Sequence, residues 1–312
     1  MATNLKGRSL LTLKEYSPEE IRFLLDISRQ VKSERRTGTN HQRFVGKTLA
    51  LIFEKRSTRT RCAFETAFGE EGGYPSFLSI DDIQLGEKES VEDTARVLGR
   101  MFDAIQFRGF KQETVEALAT HSGVPVYNGL TDLYHPTQIL ADLLTVEEAH
   151  GRLRGIKMVF AGDGRNNVAN TLMIGCAKMG LHYVVAAPME LWPAQSLVDE
   201  CRRFAHTNGG TIRVTDNLMD AVKGAHVIYT DVWASMGEES KKAEREALLR
   251  PYQVNSEVMN ATGLEEAVFL HCLPAVKGQE VTADVIDGPK SRAWDEAENR
   301  KHTIKALMLA TI

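Results

Sequence analysis

Short apolar runs of four to eight residues recur along the chain, each closed by glycine, proline or a polar cluster. The runs Lys47–Glu54 (KTLALIFE), Tyr74–Ser79, Ala104–Arg108, Pro125–Asn128, Lys157–Asp163 (KMVFAGD), His182–Pro188, Thr211–Thr215, His226–Asp231 (HVIYTD) and Val268–Leu273 predict β-strands. Between them lie stretches with apolar residues at helical spacing, for example Ser90–Phe102 and Glu113–Ser122. Strand and helix in regular alternation predict an α/β fold: two doubly wound parallel sheets, each covered by helices on both faces. The nine strands divide four and five, with a break near His150–Gly155. Pro136–His150 reads as a helix joining the halves, with Pro136 in its first turn. The expected domains are residues 1–149 and 150–290, with a C-terminal helix over 291–312 packing back on the first.

Parallel sheets of this kind bind ligands beyond the carboxyl ends of their strands, where the strand order reverses. The residues that follow each strand are therefore the candidates. After the first strand comes Lys55-Arg56-Ser57-Thr58-Arg59-Thr60-Arg61. Free N–H groups at the helix start favour an anion, the hydroxyls of Ser57, Thr58 and Thr60 add donors, and Arg59 offers a planar fork. The competing reading is an ordinary N-cap serine on a basic helix start. Arg108 ends an otherwise apolar strand, and His135 and Gln138 flank a helix-starting Pro136. Each also reads as a rim or capping residue.

In the second half, Gly162-Asp163-Gly164-Arg165-Asn166-Asn167 is a glycine-rich turn from strand to helix. Asn167 stands where a dinucleotide fingerprint needs glycine or alanine, and the nearest downstream acid, Glu190, comes late, so a nicotinamide site is weakly supported. Asp231 ends a strand, where a carboxylate can meet an amine. His271 and Cys272 invite a protease reading, but neighbouring strand residues face opposite ways, and Cys272 reads equally as a small buried hydrophobe. Taken together, the strand ends describe a phosphorylated small molecule on one domain and an amino compound on the other.

Composition narrows the field. A chain of 312 residues suits two domains, and 43% hydrophobic with 26% charged residues is ordinary for a globular protein. The formal charge of −4 gives no basic field for nucleic acid. The longest apolar runs, such as Leu49–Phe53 and Tyr183–Ala187, fall far short of the roughly 18 residues that span a bilayer. Leu10-Leu11 is too short a run to make residues 1–20 a signal peptide. Cys62, Cys176, Cys201 and Cys272 form no C-x-x-C, so neither a metal site nor a disulfide framework is expected. A reducing cytoplasm is the expected location. The charged run Glu238–Arg245 reads as a solvated helix face.

The motifs S-T-R-T-R at Ser57–Arg61, H-P-T-Q at His135–Gln138, D-V-W-A-S-M-G at Asp231–Gly237 and H-C-L-P at His271–Pro274 resemble those of the aspartate/ornithine carbamoyltransferase superfamily. The last two are similar to its ornithine branch, and Ala275 follows Pro274 where aspartate enzymes are expected to carry arginine. The likeness extends over essentially the whole chain, through G-D-x-R-N-N at Gly162–Asn167 and A-E-N-R at Ala297–Arg300. It implies transfer of a carbamoyl group from carbamoyl phosphate to the side-chain amine of L-ornithine, with no metal or organic cofactor. It implies that Ser57, Thr58, Arg59 and Thr60 hold the phosphate, and that Arg108, His135, Pro136, Thr137 and Gln138 surround the carbamoyl group. Gln84 and Arg300 complete that pocket by the same likeness. Asn167, Asp231, Ser235 and Met236 resemble the ornithine ligands, and Cys272 and Leu273 lie where both substrates meet. Gly237 is a hinge candidate for a Ser235–Gly237 lid. The family implies trimers or multiples of trimers. The rival readings are another acceptor such as putrescine or aspartate, a nicotinamide-dependent dehydrogenase, and a non-catalytic binding subunit.

Overall fold

The computed structural model describes residues 3–79, 81, 83, 89–234 and 242–312, with Lys242 described by its backbone alone. The chain divides into two compact units, one of Met1–Leu144 and Glu298–Ile312, the other of Thr145–Ala297. Each is an α/β layer structure. Among the described residues, nine strands form two all-parallel sheets.

The first unit begins with α1 (Pro18–Arg36), whose start is set by a reciprocal capping box between Ser17 and Glu20. There follow β1 (Thr48–Phe53), α2 (Thr58–Gly69), β2 (Tyr74–Ser79), α3 (Val91–Met101), β3 (Ala104–Arg108), α4 (Gln112–Ser122), β4 (Val126–Leu130) and α5 (Pro136–His150), whose last residues belong to the second unit. Its strands lie in the order β2-β1-β3-β4. β3 is buried along its whole length, whereas the edge strand β2 is nowhere fully buried. A central parallel strand covered on both faces is mostly apolar, which is why these strands read as near-continuous runs rather than alternations. The core gathers Ala50, Ile52, Ile105, Phe107, Val115 and Val126.

The second unit continues with β5 (Lys157–Ala161), α6 (Asn167–Met179), β6 (His182–Ala186), α7 (Gln195–Asn208), β7 (Thr211–Thr215), α8 (Leu218–Ala221), β8 (Val227–Thr230), α9 (Lys242–Leu249), α10 (Ser256–Asn260), β9 (Val268–His271), α11 (Ala283–Ile286) and α12 (Ala293–Thr311). α12 starts in this unit and ends in the first. The strand order is β7-β6-β5-β8-β9. Val159, Ala161, Ile228 and Phe269 from three adjacent strands share one core with Trp233 and Leu249.

The strand orders locate the sites. In the first sheet the chain runs outward from β1 to β2, then returns to the other side of β1 as β3. In the second it runs from β5 through β6 to β7, then returns beside β5 as β8. Two switch points result, at β1/β3 and β5/β8, and each opens a crevice at the carboxyl strand ends.

One expectation is corrected here. Arg245 does not lie on a solvated face: it is buried in α9 and its guanidinium meets Asp163 at 3.0 Å. Leu249, four residues on and on the same side of the helix, is also buried, so the inward face of α9 is Arg245 and Leu249. None of the described helices is long and apolar enough to cross a membrane.

Candidate active site

The β1/β3 switch point collects the first group. β1 leads into Ser57, whose hydroxyl oxygen accepts the Thr60 N–H at 3.2 Å and caps α2. The capping reading of Ser57 therefore holds, and a hydroxyl that accepts at the cap still has its own proton to donate. The first turn of α2 carries no acidic residue, so its positive end is unopposed. Thr58 is exposed, Ser57 and Arg59 are half-buried and Thr60 is buried.

Arg108 reaches this helix start because of a local irregularity. The β3–β4 register slips between Phe107 and Arg108, which pair with Asn128 and Leu130 and leave Gly129 between them. Such a bulge re-aims the side chain beside it. A Cβ there would sit 2.4 Å from the Gln106 amide nitrogen and 3.1 Å from the Thr60 methyl, so a larger residue would have to displace the Gln106 side chain. Arg108 then donates to Thr60 Oγ1 at 3.2 Å. Arg300, from α12, donates to the same oxygen at 3.2 Å and to Gln138 Oε1 at 2.5 Å. Gln138 passes its own amide N–H to Asp142 at 2.8 Å. Thr60, Arg108, Gln138 and Arg300 are thus one buried network, and the Thr60 hydroxyl, accepting twice, keeps its proton for a ligand.

His135 sits at the start of α5, buried with Pro136 and Thr137. Burial first, then the charges of Arg300, Arg108 and Arg59, hold its imidazole well below the ordinary histidine range. The ring is neutral at physiological pH. With the Thr137 hydroxyl 3.5 Å from Nδ1, the tautomer carrying its proton on Nε2 presents a donor to a ligand. This group suits a small, doubly charged oxyanion with a polar carbonyl attached.

The β5/β8 switch point collects the second group. Gly162 adopts φ 142°, open only to glycine, and turns the chain out of β5. Asp163 accepts the Arg165 N–H at 2.9 Å and pairs with Arg245. Asn166 caps α6, and Asn167 opens the helix. Asp231, just beyond β8 and 9% exposed, accepts from its neighbour Val232 N–H at 2.8 Å, from the Cys272 thiol at 3.0 Å and from the Asn166 amide at 2.8 Å.

Cys272 lies just past β9, in a turn built by buried acids. Glu296 accepts the His271 N–H at 3.0 Å and the Tyr229 hydroxyl at 3.0 Å. His271 Nδ1 accepts the Leu273 N–H at 2.8 Å, and its Nε2 lies 3.3 Å from Glu280 Oε1. Nδ1 as acceptor places the ring proton on Nε2, directed at Glu280. Leu273 is thereby held at φ 59°, a left-handed conformation costly for a branched side chain, and its bond to Pro274 is cis. The imidazole is engaged with the backbone and with Glu280, while the thiol is engaged with Asp231, so this is no nucleophile–base pair. A carboxylate and a thiol at the mouth of a crevice suit an amine.

Sequence reading did not single out Asn166, Glu280, Glu296 or the Asp163–Arg245 pair. Gln84, Ser235, Met236 and Gly237 lie outside the described residues.

The comparisons bear on both halves. The family model described as the carbamoyl-P binding domain of aspartate/ornithine carbamoyltransferase matches residues 8–148, and the Asp/Orn binding domain matches residues 154–311. The ornithine carbamoyltransferase of Caldanaerobacter subterraneus subsp. tengcongensis is 72% identical over 312 residues, covering 100% of both chains. That of Thermotoga maritima is 66% identical over the same span, again covering 100% of both. The solved ornithine carbamoyltransferase of Pyrococcus furiosus superposes with a TM-score of 0.96 at 45% identity, over 99% of this chain and 98% of that one. A phosphate-type site at one switch point and an amine-type site at the other, in a chain matched along both halves, lead to one assignment: this chain belongs to the aspartate/ornithine carbamoyltransferase family.

Proposed function

We propose that the chain transfers the carbamoyl group of carbamoyl phosphate to the side-chain amine of L-ornithine, giving L-citrulline and phosphate. The observation that carries this reading is the Asp231–Cys272 pair, a carboxylate that accepts from a thiol and suits an amine, in a chain whose other switch point gathers cations. Carbamoyl phosphate supplies its own activated carbonyl and leaving group, so no covalent enzyme intermediate is needed.

In this reading the α2 N-terminus, the hydroxyls of Ser57 and Thr58 and the Arg59 guanidinium take the phosphate. Arg108, the Thr60 hydroxyl and His135 Nε2–H donate to the carbamoyl oxygen, and Gln138 borders the carbamoyl NH2. Ornithine is held by Asn167, Asp231, Ser235 and Met236. Its side-chain amine has an ordinary pKa of about 10, by analogy with lysine, so roughly a thousandth is free base at pH 7. A lone pair of Asp231 accepts an N–H of that amine and orients it, and Cys272 and Leu273 border the reacting atoms. The amine nitrogen attacks the carbamoyl carbon, and charge builds on the carbonyl oxygen, where preset donors stabilise it most. The C–O bond to phosphate then breaks, the electron pair leaves with the phosphate, the carbonyl re-forms, and the departing phosphate takes the proton that the nitrogen gives up. A neutral His135 donates a hydrogen bond to the oxyanion without titrating. Holding the two molecules in register supplies much of the remaining acceleration.

The assembly in this reading is a homotrimer or a multiple of trimers. Val45, Tyr74 and Met101 of the first unit are exposed by 66, 70 and 66%. Light scattering tests it, and a monomer would remove it.

The activity is tested by incubating the purified chain with carbamoyl phosphate and, in parallel, L-ornithine, putrescine or aspartate. Citrulline formed far faster than the other products is the expected result. Product only with another amine would overturn the roles of Asp231, Ser235 and Met236. No product with any acceptor, from folded protein that binds carbamoyl phosphate, would favour a binding subunit.

A further inference from the structure

We propose that Asn166 is a positioning residue for the ornithine side, fixing which oxygen of Asp231 the substrate amine meets; this rests on the reading of Asp231 as ornithine's partner. Asn166 is committed at both ends. Its Oδ1 accepts the Val168 N–H at 2.7 Å, capping α6, while its carbonyl accepts the Asn170 N–H at 2.9 Å and its own N–H reaches Asp163 O at 3.1 Å. With Oδ1 spent on the cap, the amide has one orientation, and Nδ2 must point the other way. It points at Asp231 Oδ2, 2.8 Å off.

A carboxylate offers about four lone-pair sites. Among the described residues, Asp231 Oδ1 takes the Val232 N–H and the Cys272 thiol, and Oδ2 takes Asn166. The open site is the second lone pair of Oδ2. The Val232 bond comes from the next residue along the chain and moves with Asp231. The Cys272 contact is a thiol donor, which is weak. Asn166 is the strong donor that ties the carboxylate to another element, the rigid start of a nearly wholly buried helix. Without it the carboxylate can turn about its last bond and exchange its oxygens, and the amine loses its preset acceptor.

Two substitutions separate this role from capping. Ser and Asp both cap helices well. N166S keeps the cap but is too short to reach Asp231. N166D keeps the cap and sets a second carboxylate against Asp231, and two carboxylates that share a site raise the pKa of one of them. The measurement is steady-state kinetics of the full chain with carbamoyl phosphate saturating and L-ornithine varied, across pH, together with the carbamoyl phosphate dissociation constant and the thermal midpoint. In N166S, kcat/KM for ornithine is expected to fall about tenfold or more, as for loss of a hydrogen bond to a charged group. Carbamoyl phosphate binding stays within about twofold, since that site is untouched. In N166D the acid limb of the ornithine profile moves to higher pH. N166S within about threefold of wild type overturns the proposal. So does full activity in N166D with an unmoved pH profile, which leaves Asn166 as a cap alone, and so does equal weakening of both substrates. Wild-type protein that makes no citrulline removes the functional reading, and this proposal with it, before any variant is compared.

Discussion

The Cys272 thiol donates to Oδ1 of Asp231 across 3.0 Å, between residues brought together from the ends of β9 and β8. In the proposed reaction the pair belongs to the amine side. Cys272→Ser keeps a donor but shortens its reach, because a C–O bond is shorter than a C–S bond. Ornithine kcat/KM should fall while the carbamoyl phosphate dissociation constant holds. Asp231→Asn removes the negative charge that accepts the amine and should cost on the order of a hundredfold or more in ornithine kcat/KM. Steady-state kinetics with each substrate varied separately checks both. Weakened carbamoyl phosphate binding with ornithine use intact would reverse the assignment.

Arg300 is 2% exposed and joins Thr60 to Gln138. Arg300→Met fills similar space but strands both partners and removes one of the charges that keep His135 neutral. An unmatched buried partner costs about 1–3 kcal/mol. The variant should lose thermal stability and bind carbamoyl phosphate at least about tenfold more weakly, because the Thr60 and Gln138 groups are no longer held. Calorimetric titration with carbamoyl phosphate reads this directly. Unchanged affinity would mean that the network is structural only.

Much of this arrangement is legible in the sequence. Nine strands read as nine strands, because a fully covered parallel strand is a plain apolar run that glycine, proline and polar residues end abruptly. Tyr74–Ser79, Ala104–Arg108 and Thr211–Thr215 coincide with their predicted bounds, and the others differ by one to a few residues at their ends. What escaped was made by tertiary approach. Asn166 meets Asp231 across 65 residues, and Glu296 meets His271 across 25. No local pattern encodes such a pairing. Arg245 had a visible signal, since it stands four residues before the apolar Leu249, but the charges around it masked it. Of the adjacent asparagines, sequence reading weighed Asn167 as a ligand and passed over Asn166, the one that the helix cap aims at Asp231.

His135 links stability to pH. Burial and three arginines hold its folded pKa well below the ordinary value, so below about pH 6.5 the unfolded chain binds a proton that the folded chain does not. Its contribution is whole above that pH and is lost progressively as the pH falls towards the folded pKa. His150, His226 and His302 are also shifted down, mainly by burial, and add to the same acid limb. Replacing His135 with Gln, which does not titrate, should lessen the drop in thermal midpoint between about pH 7.5 and 5.5. A drop equal to that of wild type would show that His135 protonates freely in the folded protein.

Arg59 tests the phosphate side, and pH tests the nucleophile. Arg59 stands in the first turn of α2, and in the proposed reaction its guanidinium and the helix end take the same phosphate. That charge increases as the C–O bond breaks, so Arg59→Ala should cost about 3 kcal/mol or more of transition-state stabilisation, roughly a hundredfold in kcat/KM. A loss below about threefold would place Arg59 outside the reaction. The acceptor amine attacks only as free base, and its pKa lies well above neutrality, so ornithine kcat/KM should climb about tenfold per pH unit between roughly 6 and 8. In Arg59→Ala the slope should be unchanged while the whole profile drops, because the substitution touches the leaving group and not the amine. A flat wild-type profile would point away from the amine as nucleophile, and a changed slope in the variant would place Arg59 on the wrong substrate.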